Sequence, residues 1–513
     1  MVLFESTLAL MLVAIVLLQL SRRLDIPYPT MLAVAGVAVA AFPWAPSVGI
    51  DPQLALALFI APVLLDAAFD LAPRALMRTW LPLLSLAAFL VVLTTVAVAW
   101  LGVAWAGMPI AAAIALGAIV APPDAAAAVA MLNRFSLPRR TVTVLKGESL
   151  LNDATALLIF GAAVNAMSGR ETFSAHIPQL AIAVPGGILL GIGLARVLIL
   201  LRPVLAGTLG GTLFQFVSTF GVWIIAERLH LSAILTIVAY AMTLAHILPE
   251  KTPPLDRVHS YSVWEAVVFM LNVLAFLLMG LQARTIITSL DETQLRSALT
   301  FAGAVFVTVV VVRLIWVLLY NRAFYLIEKL RGRHDAPSLG RGLVVAWCGM
   351  RGLVTLATAL ALPLDFPSRD LIVLSALGVV LGTLVVQGLT LGPLIRFLQF
   401  KPDESFRAEL SAARVILLEA AEASLKKERS EPAMRIRAEY KEQQSVTKEG
   451  LYSLEPTRTE ALRLKSIAAQ RRKLAALRRS GKVDDDVYHA LEQELDWAEL
   501  SATPTSRLNM IEG

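Results

Sequence analysis

The sequence predicts an all-α polytopic membrane protein of about thirteen transmembrane helices, followed by a polar helical tail. Three observations carry that reading. The 513 residues are 57% hydrophobic and their mean hydropathy is +0.70, far above an ordinary soluble domain. The apolar residues gather in runs of about 18–25, the length a helix needs to cross a hydrocarbon core about 30 Å thick. The charge is also uneven. Residues 1–398 hold 19 of the 39 acids and residues 399–513 hold the other 20. Residues 1–398 are therefore read as a transmembrane domain and 399–513 as a cytoplasmic helical tail.

Taken in order, the apolar runs lie near 3–20, 27–46, 53–71, 81–104, 109–131, 142–167, 177–200, 208–229, 231–249, 263–283, 298–321, 341–362 and 371–397. The first is read as a retained span, since no basic leader with a cleavage site precedes it. Connections after odd-numbered spans hold sixteen Lys and Arg, against five after even-numbered spans. The basic side faces the cytoplasm, which puts the N-terminus outside and the tail inside. The formal net charge of +6 belongs to these loops, so it reports topology and not nucleic-acid binding.

Two spans are interrupted. In span five, "IAAAIALGAIVAPPDAAAAVAML", Pro122 and Pro123 lack the N–H that would serve the carbonyls of Ala118 and Ile119. Backbone broken at membrane depth must face protein, water or an ion. In span twelve, "GLVVAWCGMRGLVTLATAL", Gly349, Arg351 and Gly352 fall in mid-run. Each break lies in the fifth span of a set of six, 1–6 and 8–13, and the two sets start on opposite sides of the membrane. This is the inverted-repeat arrangement of secondary transporters, with the binding site near the breaks.

Intramembrane charge is sparse, and "VLKGESLLNDATALLIF" concentrates it. On a helix, Glu148 and Asn152 share one face and Ser149 and Asp153 the neighbouring strip. Glu148 is read as half of an ion pair, with Arg313 of span eleven the first choice of partner and Arg351 the second. Asp153 and Asp124 then lack an obvious fixed cation. A buried carboxylate of that kind holds a proton, or exchanges it for a small hard cation that prefers oxygen ligands. Asn152, Ser149 and the freed carbonyls of span five are candidates to complete the shell. Asp66, in "APVLLDAAFDL", is a further candidate or a brace. Asp70, Glu265 and Asn272 are read as structural.

These motifs resemble the cation:proton antiporter-1 family, which includes bacterial sodium/proton antiporters of the NhaP type and animal sodium/hydrogen exchangers. "GESLLND" carries the likeness in span six. It is supported by "FIAPVLLDAAF" in span three, "GAIVAPPDAAAAVA" in span five, "VVRLIWV" in span eleven and "GMRGLVTLATAL" in span twelve, over roughly residues 1–398. The resemblance implies an NhaA-like antiporter fold, a homodimer with a moving core, and alternating access. It implies that Asp153 binds Na⁺ or H⁺ in turn, with Asp124 the second acid of the Na⁺ site, Ser149 a ligand and Asp66 a nearby acid. It also implies that Asn152 marks electroneutral exchange, that Glu148 pairs with Arg313, and that Arg351 is the arginine of the broken span. Animal members place Pro after the span-five Asp; here Pro122 and Pro123 precede Asp124.

The expected function is electroneutral Na⁺/H⁺ antiport in a bacterial inner membrane, with K⁺/H⁺ antiport as the alternative, Li⁺ a further possible cation, and a cation channel as a rival from another class. No P-loop or dinucleotide fingerprint is present, so no cofactor and no enzymatic activity are expected. The six His lack metal-ligand spacing, and Cys348 is the only cysteine. In the tail, 403–443 and 457–500 read as helical, broken by Pro432 and Pro456, with "KSIAAQRRKLAALRRSGK" amphipathic and basic. That segment is open to anionic lipid, to a dimer mate or to solvent.

Overall fold

The computed structural model describes residues 2–24, 28–40, 54, 56–69, 71, 76–77, 79–124, 128, 132, 138–167, 177–205, 208–287, 291–330, 339–400, 405–448, 458–480 and 482–503. Among them there is helix and no strand. Contacts divide the chain into two compact units, residues 1–402 and 403–512.

The first unit is a helical bundle. Its helices are α1 (Val2–Leu24), α2 (Tyr28–Ala40), α3 (56–69), α4 (Trp80–Ala106), α5 (Ile110–Val120), α6 (Arg139–Met167) and α7 (Ile177–Leu205). There follow α8 (Leu209–Arg228), α9 (Ala233–Lys251), α10 (Pro254–Ile287), α11 (Glu292–Leu330), α12 (Leu339–Trp347), α13 (Leu353–Leu360) and α14 (Arg369–Leu398). Six described helical stretches, in α4, α6, α7, α10, α11 and α14, are long and apolar enough to cross a membrane, and shorter apolar helices lie in α1, α3, α5 and α9. The reach of span two beyond residue 40, most of span five after Asp124, and Asp70 lie outside the described residues.

Both expected interruptions fall where backbone partners are missing. Helix α5 stops at Val120, just before Pro122 and Pro123, and both prolines are buried. Span twelve divides into α12 and α13, with residues 349–352 non-helical between them. Three further irregularities carry no proline. Single π-helical turns, Leu56–Ile60, Ser85–Phe89 and Thr383–Gln387, interrupt α3, α4 and α14.

Two apolar cores share the unit. One gathers α5 and α14, through Leu116, Ile119, Leu377 and Val380, with residues of α2, α11 and α13. The other gathers α3 and α9, through Leu65, Ile237 and Ala241, with Trp223 of α8 and Trp264 of α10. Helix α6 gives Leu145 to the first and Leu150 to the second, so the charged residues of its middle turns are held between two packed masses.

The second unit holds α15 (Ser405–Ser424), α16 (Glu431–Lys448), α17 (Arg458–Arg479) and α18 (Asp485–Ala502). The expected break at Pro432 is present, because Pro432 lacks an N–H and so begins a helix more readily than it continues one. Ion pairs tie α15 to α16 (Glu422–Lys441, 3.4 Å) and α16 to α17 (Glu439–Arg463, 2.8 Å). Helix α17 packs on α18. Its Ile467 and Leu474 are buried, and Arg471 bridges Asp496 and Glu499. Part of the amphipathic segment thus has its partner within the chain.

Candidate functional site

The site is built where the broken backbone of span five meets that of span twelve, beside the middle of α6. A helix end leaves unsatisfied carbonyls at its C-terminus and unsatisfied N–H groups at its N-terminus. Inside a membrane these cannot turn to water. The two spans solve this for each other. Arg351, 1% exposed, lies between α12 and α13 and donates from Nε to the Val120 carbonyl (3.0 Å) and from Nη2 to the Ala121 carbonyl (3.3 Å), at the C-terminus of α5. Its Nη1 donates to the Gly349 carbonyl. In return, Asp124 accepts at Oδ2 from the Leu353 N–H (3.3 Å), at the N-terminus of α13, and its own N–H donates to the Met350 carbonyl (2.7 Å). Cation at a C-terminus and carboxylate at an N-terminus is the favourable arrangement for both helix dipoles.

The contact is close enough to require glycine. A Cβ on Gly352 would fall on the Asp124 carboxylate, and one on Gly349 would fall on the Arg313 side chain.

Helix α6 lies against this crossing. Asn152, fully buried, donates from Nδ2 to the Pro123 carbonyl (3.2 Å), while its Oδ1 has no partner among the described residues. Asp153 is 4% exposed and lies within electrostatic range of Asp124. Its carboxylate makes no hydrogen bond or ion pair among the described residues. Ser149 is half-buried on the same strip, one turn earlier. The broken-span carbonyls of Val120, Ala121 and Pro123 are already taken by Arg351 and Asn152. Side-chain oxygens are therefore the more accessible ligands here.

Glu148, one turn before Asn152, has a different partner. It forms a two-pronged ion pair with Arg313, both 1% exposed, in which Nη2 donates to Oε2 at 3.0 Å and Nη1 to Oε1. Arg313 also donates to the Ala346 carbonyl (Nε, 3.2 Å) and the Val345 carbonyl (Nη2, 3.0 Å) near the end of α12. This pair ties α6, α11 and α12 together, and Arg351 is left to the carbonyls.

Asp66 is placed apart. It lines a cavity of about 630 Å³ between α3, α8, α9 and α10, whose walls hold none of the other candidates. In that wall Gln215 accepts at Oε1 from both Ser260 Oγ and Trp264 Nε1, each at 2.8 Å.

Two residues of α14 escaped the sequence reading. Thr383 accepts the Arg351 N–H at Oγ1 (3.0 Å), within the non-helical segment. Gln387, one turn on and 1% exposed, has no partner for its amide oxygen or nitrogen among the described residues. Their only signal is a Thr and a Gln in the apolar run "LGTLVVQGLT".

At the crossing, Asp153 lies within electrostatic range of Asp124, while the Arg351 guanidinium is taken up by backbone carbonyls. Two neighbouring carboxylates of this kind favour uptake of a proton or of a small hard cation. Sequence comparison is consistent with that chemistry. Residues 8–397 match the family described as sodium/hydrogen exchanger, transmembrane. The chain is similar to an uncharacterised Na⁺/H⁺ exchanger of Mycobacterium tuberculosis, at 28% identity over 94% of this chain and 93% of that one. It is 30% identical to the low-affinity Na⁺/H⁺ antiporter NhaS1 of Synechocystis, over 78% of this chain and 76% of that one. The fold resembles that of the sodium proton antiporter MjNhaP1 of Methanocaldococcus jannaschii, with a TM-score of 0.59 at 16% identity over 77% of this chain and 98% of that one. The chain belongs to the sodium/hydrogen exchanger family of membrane transporters.

Proposed function

We propose that this protein is a secondary active antiporter that exchanges Na⁺ for H⁺, one for one, by alternating access, with Asp153 binding cation and proton in turn. It is a transporter and not an enzyme, and Na⁺ and H⁺ are its cargo. The observation that carries the reading is the Asp153 carboxylate itself, buried and without a hydrogen bond or ion pair among the described residues, beside Asp124 and the spare oxygen of Asn152. Asp124, Asn152 and Ser149 complete the site, with Asp66 a nearby acid. Because Asn152 is neutral, the site changes by one charge only, and the exchange is electroneutral.

The same reading makes the first unit a thirteen-span, NhaA-like protomer with inverted repeats over spans 1–6 and 8–13, since the breaks fall in matching positions. The protomers pair as homodimers in the lipid of a bacterial inner membrane. The basic-loop asymmetry supports an outside N-terminus and a cytoplasmic tail. K⁺ is the second candidate cation. A relative from Bacillus pumilus, 28% identical over 93% of this chain and 74% of its own, is described as a sodium, potassium, lithium and rubidium/H⁺ antiporter.

Proteoliposomes with an imposed pH gradient and an internal pH dye test this. Added Na⁺ should drive proton movement that is indifferent to membrane potential and absent in Asp153→Asn. Exchange that survives Asp153→Asn overturns the mechanism, and a larger response to K⁺ than to Na⁺ changes the cation.

A further inference from the structure

At one end of the bundle a cleft of about 740 Å³ opens between the starts of α4, α6 and α12 and the last turns of α11. It lies apart from the ion site, and its lining is mixed. Leu86, Val144, Val317 and Phe324 give it apolar lining, and Arg140, Arg341 and Tyr320 bring polar groups to it. Among the described residues that line it there is no carboxylate.

Three observations define its ligand. Arg140 and Arg341 are both exposed and stand in the first turns of α6 and α12. Two guanidinium charges and two positive helix ends thus meet at one mouth. The Tyr320 hydroxyl is buried there without a hydrogen-bond partner among the described residues, within electrostatic range of Arg140. Finally, the cleft between these helices is lined by the apolar side chains of Leu86, Val144, Val317 and Phe324. A soluble anion would use the charges and leave that apolar lining unused. A ligand with a phosphate at one end and a hydrocarbon chain at the other uses both, and basic pockets between membrane helices are suited to such headgroups.

We propose that this cleft binds an anionic phospholipid, with its phosphate between Arg140 and Arg341, the Tyr320 hydroxyl donating to it, and an acyl chain along Leu86, Val317 and Phe324. The lipid adjoins the Glu148–Arg313 brace. Val345 lines the cleft and its carbonyl accepts from Arg313, and Val144 lies one turn before Glu148 on α6. Occupancy therefore holds α6, α11 and α12 in register around the ion pair. This inference does not depend on the identity of the transported ion.

The test is a thermal-shift titration of the purified full chain in detergent with phosphatidylglycerol, phosphatidylcholine and inorganic phosphate. Phosphatidylglycerol should stabilise saturably. Its apparent affinity should fall about thirtyfold in Arg140→Gln/Arg341→Gln, from the loss of two charges near the lipid surface. It should be unchanged in Arg23→Gln/Arg196→Gln, which removes two exposed arginines that do not line the cleft. Wild-type affinity in the first pair, or equal weakening in the control pair, overturns the proposal. So does full stabilisation by phosphate or phosphatidylcholine alone. Should the first pair fail to fold, Tyr320→Phe is expected to weaken binding about threefold, and unchanged binding there is equally decisive.

Discussion

At the residue scale the account rests on what each buried charge touches. Glu148 and Arg313 satisfy each other, and removing one partner of such a pair leaves a charge buried and alone, at a cost of about 3–5 kcal/mol. Glu148→Leu is therefore expected to lower the unfolding temperature in detergent sharply, and Glu148→Leu/Arg313→Met to recover most of the loss. A double variant no more stable than the single would show that the pair is not the brace described here. Gly352 makes a sharper prediction, because its cost is local. With Asp124 occupying the space a Cβ needs, Gly352→Ala should displace the carboxylate from the α13 N-terminus and cut exchange at least about tenfold. A folded Gly352→Ala protein with wild-type exchange would contradict the close contact. Much of this was legible in the sequence. Acids and amides in an apolar run are expensive, and Arg313 was the first choice of partner for Glu148. The role of Arg351 was not legible, because its partners are backbone carbonyls about 230 residues away, and a carbonyl has no sequence signature.

At the scale of elements, the sequence announced both breaks, one through Pro122 and Pro123 and the other through Gly349 and Gly352. It did not announce that each broken end caps the other, which depends on where two distant spans cross. The π-helical turns were equally hidden. Thr383 begins one of them and receives the Arg351 N–H, so the irregularity serves a tertiary contact and not a local preference. The reciprocal caps make α5, α12 and α13 one mechanical unit, and the fork of Arg351 is what reaches two successive carbonyls. Lys has no such fork. Arg351→Lys should therefore lose about 2 kcal/mol of stability and most of its exchange, measured by thermal unfolding and by proteoliposome assay. Exchange at the wild-type level would mean that α5 ends without needing the cap.

At the scale of the whole molecule, composition and hydropathy alone divided the chain near residue 398, and contacts divide it between 402 and 403. The break of the tail was legible from Pro432, which starts the next helix at 431 and leaves 425–430 between the two. The central claim concerns one shared site, at which Na⁺ and H⁺ compete for Asp153. Cation binding to a carboxylate that must first lose its proton is pH-dependent and releases that proton, so apparent Na⁺ affinity should fall about tenfold per pH unit once the protonated form dominates. The most direct measurement is calorimetric titration of the purified protein with Na⁺ in buffers of different ionisation enthalpy, under those acidic conditions. The account predicts release of about one proton per Na⁺ bound, and no binding heat in Asp153→Asn. Sodium binding with no proton release, or binding that persists in Asp153→Asn, would contradict it.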